Sequence, residues 1–213
     1  MKAVADNDIL LKGACYGLLP EFVGAVPGTG HIGILGASIF VVPSKIKKQS
    51  LRGDPAVVQT RFAAFVADNE LLEPSCDEQS MAALFEATAQ KLALNLDTGE
   101  SQLVAMLVSR SLPWLLTGDK RAIAAIENLF DADTRLAVVA GKIRSLEHLI
   151  RDVLASGIVD QVRGAICAEP AVDKALSICF SCSGSHASSA TVSEGLSSYI
   201  ADLRSRAARV LAT

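Results

Sequence analysis

Three acids in this chain stand where metal chemistry could be done. Asp6 closes a short apolar run, Lys2-Ala-Val-Ala-Asp6, that reads as a buried strand. Asp119 follows a second such run, Trp114-Leu-Leu-Thr117, after one glycine. Glu100 opens a helical stretch that begins near Thr98. In an open α/β sheet the C-terminal ends of the strands share one edge, and ligands collect there. Acids from two strand ends and a helix start can therefore converge although they lie far apart in sequence. Converged carboxylates repel one another unless a cation lies between them. Mg²⁺, or Mn²⁺ in its place, suits such a site because it takes a few carboxylate oxygens and keeps several waters. A metal held there lowers the pKa of a bound water and shields charge developing on a phosphate.

Each acid taken alone is also a helix cap. Asp97-Thr-Gly-Glu100 fits a capping box, with Asp97 as N-cap and Glu100 reaching back. Asp119 can cap a helix that begins at Lys120, and Asp6 one that begins near Asn7. The metal reading rests on the set, not on any one member.

The elements that must position these acids follow from the pattern of apolar residues. After the first strand, Asn7 to Leu19 reads as a helix, followed by a turn-rich break at Pro20 and from Gly24 to Gly36. Ala37-Ser-Ile-Phe-Val-Val42 reads as an inner strand stopped by Pro43. Helices are expected from Pro55, with Asp54 as N-cap, over about Asp77 to Leu94, from Thr98 to Ser111, and over Lys120 to Phe130. Leu136 to Val139 reads as a last strand and Ile143 to Ala155 as a further helix. Strands alternating with helices imply an α/β fold, a mostly parallel central sheet flanked by helices in three layers. The expected division is an α/β domain over residues 1–155 and a helical C-terminal extension over 156–213. Within the extension, Ser181 to Ser193 reads as a Ser-rich loop and Tyr199 to Leu211 as a closing helix.

Composition narrows the classes. Half of the 213 residues are hydrophobic but only 5% are aromatic, so the core must rely on Leu, Val, Ile and Ala. Lys and Arg total 20 against 23 Asp and Glu, a net charge of −3. Such a chain is no general electrostatic binder of nucleic acid, and an RNA surface would have to be a local basic patch. Lys45, Lys47, Lys48 and Arg52 form one such cluster, which is either a phosphate contact or a solvated loop. Lys120 and Arg121 follow Asp119 and could contact phosphate or pair with the acids. Met1 to Asp8 has no basic region leading into an apolar one, and no apolar run reaches the ~20 residues of a membrane span. The five cysteines are read as reduced thiols of a cytoplasmic protein.

The ordered set of motifs resembles the PIN-domain family. Val4-Ala-Asp-Asn-Asp-Ile-Leu-Leu11 looks like the first strand and helix of that family. Leu96-Asp-Thr-Gly-Glu-Ser-Gln102 looks like its Asp-x-Gly-Glu segment, and Leu115-Leu-Thr-Gly-Asp-Lys-Arg121 like the strand-plus-acid segment that follows. Ala140-Gly-Lys-Ile143 resembles the end of the domain, so the likeness covers about Met1 to Ala155. The resemblance implies a metal-dependent endoribonuclease, of a family many of whose members are toxins of bacterial toxin–antitoxin modules. By the same resemblance Asp6, Glu100 and Asp119 are catalytic and hold Mg²⁺ or Mn²⁺, with Asp97 and Asp8 as further carboxylates nearby. RNA would be held by Lys45, Lys47, Lys48 and Arg121, and the implied partners are an antitoxin protein or a second copy of the chain. One departure stands out. The family has a further acid a few residues after the proline that follows its second strand. Here that stretch is Pro43-Ser-Lys-Ile-Lys-Lys-Gln-Ser50, with Gln49 or Lys48 about where the acid is expected. The site then works with fewer ligands, or Glu70, Glu73 or Asp77 substitutes, or the domain has become an interaction module that no longer cuts.

Other signals have plainer readings. Cys179-Phe-Ser-Cys182 with Cys167 and His186 has zinc-ligand character, but Cys179 lies among Ala175, Leu176 and Ile178, which favours a buried free thiol. Ser183-Gly-Ser185 with His186 lacks the strand–elbow–helix setting of a nucleophilic serine. Gly28-Thr-Gly30, with Gly33 and Gly36, has no Lys-Ser/Thr at the offset of a phosphate loop and reads as a connection. His31 and His148 are isolated, and neither is assigned a role.

Overall fold

The computed structural model describes residues 3–28, 30–184 and 187–213. The chain begins with β1 (Ala3–Ala5), α1 (Asn7–Tyr16), α2 (Leu19–Ala25), β2 (Ile32–Leu35), α3 (Ser38–Ile46) and α4 (Pro55–Ala67). It continues through β3 (Glu70–Leu72), α5 (Cys76–Lys91), α6 (Thr98–Ser109), β4 (Trp114–Thr117) and α7 (Lys120–Leu129). A 3₁₀ helix (Thr134–Val139) leads to β5 (Ile143–Ser145), then to α8 (Leu146–Leu154), α9 (Val159–Ala168), α10 (Lys174–Cys179) and α11 (Ser189–Arg206). All strand pairs are parallel, in the order β3-β2-β1-β4-β5.

Strand side chains alternate between two hydrophobic cores, one on each face, which makes the molecule a three-layer α/β/α fold. Ala3, Ala5, Ile32, Ile34 and Leu116 face α1, α2, α4 and α8. Val4, Leu35, Leu72, Leu115 and Ile143 face α5, α6 and α7. The chain leaves β1 for one face through α1 and leaves β4 for the other through α7. That divergence opens a crevice beyond the ends of two neighbouring strands, the usual ligand position in such sheets.

Residues 156–213 pack into these same two cores. Val162, Ile166, Leu176 and Phe180 join the first, whereas Leu203, Ala207, Val210 and Leu211 join the second, with α11 reaching from one to the other. The tail then lies alongside β5: the N–H of Ile143 donates to the Val210 carbonyl (2.9 Å), and the N–H of Ala212 to the Ile143 carbonyl (2.8 Å). Glu169, at the C-terminal cap of α9, accepts from the N–H groups of Arg52 and Gly53 at 2.7 Å each and so pins the loop before α4.

Several elements differ from expectation, each for a physical reason. Ala37 to Val42 is not a strand. Ser38, Val42 and Ile46 are buried while Phe40 and Lys45 are exposed, a spacing of four that packs as a helix and carries Pro43 inside it. The second strand lies just before it, at Ile32–Leu35, inside the stretch read as turn-rich. Leu136 to Val139 is 3₁₀ helix, and the last strand is Ile143–Ser145. Ser145 ends that strand and caps α8, accepting from the His148 N–H, while the His148 ring accepts in return from the Ser145 N–H. Burial and nearby Arg151 push that imidazole down to about 4, in keeping with a neutral, acceptor ring. The first helix stops at Gly17, whose φ of 67° is left-handed, before α2 begins. The Ser-rich stretch becomes helical at Ser189, and α11 ends at Arg206.

The reduced-thiol and zinc readings are corrected. Cys167 and Cys182 form a disulfide, with Cα atoms 4.9 Å apart, so neither is a thiolate ligand. Cys179 is a buried free thiol pushed up to about 11 by burial and by Glu147. His186, Ser185 and Thr29, on which the zinc, serine and glycine-loop readings also drew, lie outside the described residues. Among the described residues, no helix is long and apolar enough to cross a membrane.

Candidate active site

The crevice between β1 and β4 is lined with charge. A cleft of about 210 Å³ brings together Asp6, Glu100, Asp119, Lys45 and Arg121, and Asp8 and Asp97 also border it. Lys47 and Lys48 do not line it, nor do Glu70, Glu73 and Asp77. From α3 the residue that lines the cleft is Lys45.

The three central acids arrive as helix caps. Asp6 follows β1 and is 5% exposed, and its Oδ1 accepts from the Ile9 N–H at 2.8 Å as N-cap of α1. Its Oδ2 accepts from the hydroxyl of Thr117, the last residue of β4. Thr117 Oγ1 in turn accepts from the Asp119 N–H at 3.2 Å, tying the two strand ends together. Asp119 caps α7 and accepts from the Arg121 N–H (2.8 Å) and guanidinium (2.9 Å to Oδ2). Asp97 and Glu100 form the expected capping box of α6: the Glu100 N–H donates to Asp97, and the Asp97 N–H to Glu100 Oε2, each at 2.8 Å. Capping and crowding therefore coexist. A helix start offers N–H donors and a positive dipole end, and three such starts meet at this one edge.

Electrostatics separate the acids. Burial, reinforced by Asp8, raises Asp6 to about 7. Burial also raises Glu100 to about 7, assisted by the charges of Asp97, Asp119 and Asp6 and opposed by the Asp97 N–H. Asp119 goes the other way. Burial pushes it up, but the Arg121 guanidinium and the N–H groups of α7 outweigh that and hold it below the ordinary carboxylate range.

Two supporting features were not legible from motifs. Asn7 lines the cleft and its Oδ1 is buried with no hydrogen-bond partner among the described residues. Lys12 bridges Asp8 (2.7 Å) to Asp173 (2.8 Å), so a residue of the C-terminal helices orients a carboxylate at the cleft. Sequence offers no signal for that pairing, whereas Thr117, a polar residue ending an apolar strand, was a visible hint. Gly118 leaves room for the same arrangement: a Cβ there would stand 2.0 Å from Asp8 Oδ2, so the carboxylate would have to move.

The donors that line the cleft are carboxylate and amide oxygens, the type a hard divalent cation takes. Asp6 is raised by burial and Asp8, Glu100 by burial and the charges of Asp97, Asp119 and Asp6, and the Asn7 amide oxygen beside them is unsatisfied, so added positive charge is favourable here. Among the described residues, no group of three or more His, Cys, Asp or Glu side chains is arranged to hold a metal ion. A Mg²⁺-type ion does not need one, because it keeps several waters and binds through one or two carboxylates plus phosphate oxygens. No family model, curated protein or solved structure matches this chain.

Proposed function

We propose that the chain is a divalent-metal-dependent endoribonuclease that hydrolyses RNA phosphodiester bonds in the cleft between β1 and β4. The observation that carries the reading is the meeting of Asp6, Glu100 and Asp119 with two cations, Lys45 and Arg121, in one cleft at the strand ends. The acids would hold Mg²⁺ or Mn²⁺, which supplies an activated water and shields developing charge when bound. Lys45 and Arg121 would hold the phosphate, with Lys47 and Lys48 farther along the strand of RNA. Asp8, kept in place by Lys12, borders the same space.

The motif resemblance adds a setting to this chemistry: a cytoplasmic toxin restrained by an antitoxin protein. A small DNA-binding protein encoded next door would support that setting. A Cys167–Cys182 bond runs against that setting, because the cytosol keeps most thiols reduced.

A second reading, an interaction module with no catalysis, is favoured by one specific observation. Both oxygens of Asp6 and both of Asp119 already accept hydrogen bonds, and Lys45 brings positive charge to the cleft. Calorimetric titration with Mn²⁺ separates the two. The nuclease reading expects binding with proton release near pH 7, lost in Glu100→Gln. Absence of binding favours the interaction module.

A further inference from the structure

A second cavity opens off the acid cleft. It measures about 330 Å³, at the lower end of the roughly 300–1,000 Å³ usual for small-ligand sites. It shares Asp97, Glu100, Asp119 and Arg121 with the cleft, so the two form one groove. Its own walls are different in kind: Gln90 from the end of α5, and Leu94, Asn95 and Leu96 from the loop between α5 and α6.

That loop is held at both ends. Leu92 caps α5, and Ala93 takes a left-handed conformation (φ 54°) usually left to glycine. The N–H of Leu94 then donates to the Ala89 carbonyl (2.8 Å) and that of Ala93 to the Gln90 carbonyl (3.1 Å), closing the helix end. At the other end stands the Asp97–Glu100 capping box. Leu94 and Leu96 pack against the second core and are half-buried. Gln90 and Asn95 are exposed, and their side-chain amides make no hydrogen bond among the described residues.

From this arrangement we infer that the second cavity is a nucleobase pocket, which takes a base of single-stranded RNA whose neighbouring phosphate lies in the acid cleft. The inference rests on the nuclease reading for the identity of the polymer. Two aliphatic side chains offer apolar surface to the flat face of a base. Two free amides, each a donor and an acceptor, match a base edge, and adenine is the base that asparagine and glutamine pair with in bidentate fashion. Arg121, at the junction of the two cavities, meets the anionic backbone that joins base to phosphate. Unpaired bases in RNA present these edges because they are not stacked into a duplex. A fixed loop keeps the pocket formed before ligand arrives, so little ordering is lost on binding.

The test uses fluorescence anisotropy in EDTA with two labelled probes, a hexamer of riboadenylate and a hexamer of the same ribose-phosphate backbone without bases. The wild-type chain is expected to bind the adenylate hexamer about tenfold more tightly, a difference of ~1.4 kcal/mol. In the double variant Gln90→Ala, Asn95→Ala that difference should vanish, while the thermal unfolding of the protein stays as in the wild type. Equal binding of both probes by the wild type, or an undiminished difference in the variant, overturns the inference. Cleavage in Mn²⁺ is scored separately. Base-dependent binding without cleavage sinks the nuclease reading and keeps the pocket; cleavage with no base dependence does the reverse.

Discussion

Replacing Asp6 by asparagine should stabilise the metal-free protein at pH 8 and not at pH 4.5. In the folded state burial and Asp8 raise the Asp6 carboxyl from 3.8 to about 7. A raised carboxyl means that the folded state binds more protons than the unfolded state between those two values. Stability from this group is therefore fully present below pH 4 and is lost as the pH rises through 7. The shift is about 3 units, and at ~1.4 kcal/mol per unit it caps the loss at ~4 kcal/mol. Asparagine keeps the oxygen that accepts from the Ile9 N–H. It exchanges the bond from Thr117 for one in the opposite sense, which takes back about 1 kcal/mol. The expected net gain at pH 8 is ~3 kcal/mol, about 6–12 °C in Tm for a chain of this size. Urea unfolding in EDTA at the two pH values measures it. A variant that is destabilised to the same extent at both pH values would refute the reasoning, since Asp6 would then act as a plain helix cap. The prediction also carries the functional logic: an acid kept in place at a cost to the empty fold is one whose charge is needed there.

Two further perturbations test the surroundings of the cleft. Cys167→Ser should cost roughly 3 kcal/mol under oxidising conditions, as expected for a loop of about 15 residues, and nothing in dithiothreitol; urea unfolding with and without reductant checks it. Gly118→Ala should cost about 1–3 kcal/mol, because its Cβ displaces the Asp8 carboxylate from Lys12, and a thermal melt of the variant against the wild type reads it.

The parts of the fold that the sequence made legible are those with local chemistry. Asp54-Pro55, Asp97-Thr-Gly-Glu100 and Asp119 mark helix starts through side chains bonding to backbone three residues on or fewer, and the helices begin there. Trp114–Thr117 is a four-residue strand buried from Leu115 on, and it stands out as an apolar run between a proline and a glycine. β3 is short, mostly exposed and opens on Glu70, and β5 carries Arg144 and runs directly into α8, so neither presents the apolar run that marks β1 and β4. Ala37 to Val42 misled because β-branched residues suit a strand by propensity, whereas its fate was set by what packs beneath Val42 and Ile46. At the candidate site the acids were visible as strand-end and helix-start residues. Asn7, the Lys12–Asp173 bridge and the loop at Asn95 were not, because each acquires its meaning from a residue distant in the chain. The disulfide has a different obstacle: five cysteines, an odd number, give no pairing rule.

The most direct test of the nuclease assignment is cleavage of end-labelled single-stranded RNA by the purified chain, with Mn²⁺ and with EDTA, alongside Asp6→Asn. The account predicts internal cuts by the wild type in Mn²⁺, none in EDTA, and a loss of at least a hundredfold in the variant, while unfolding shows that variant to be at least as stable. Equal cleavage by wild type and Asp6→Asn, or no cleavage by either in Mn²⁺, would contradict it.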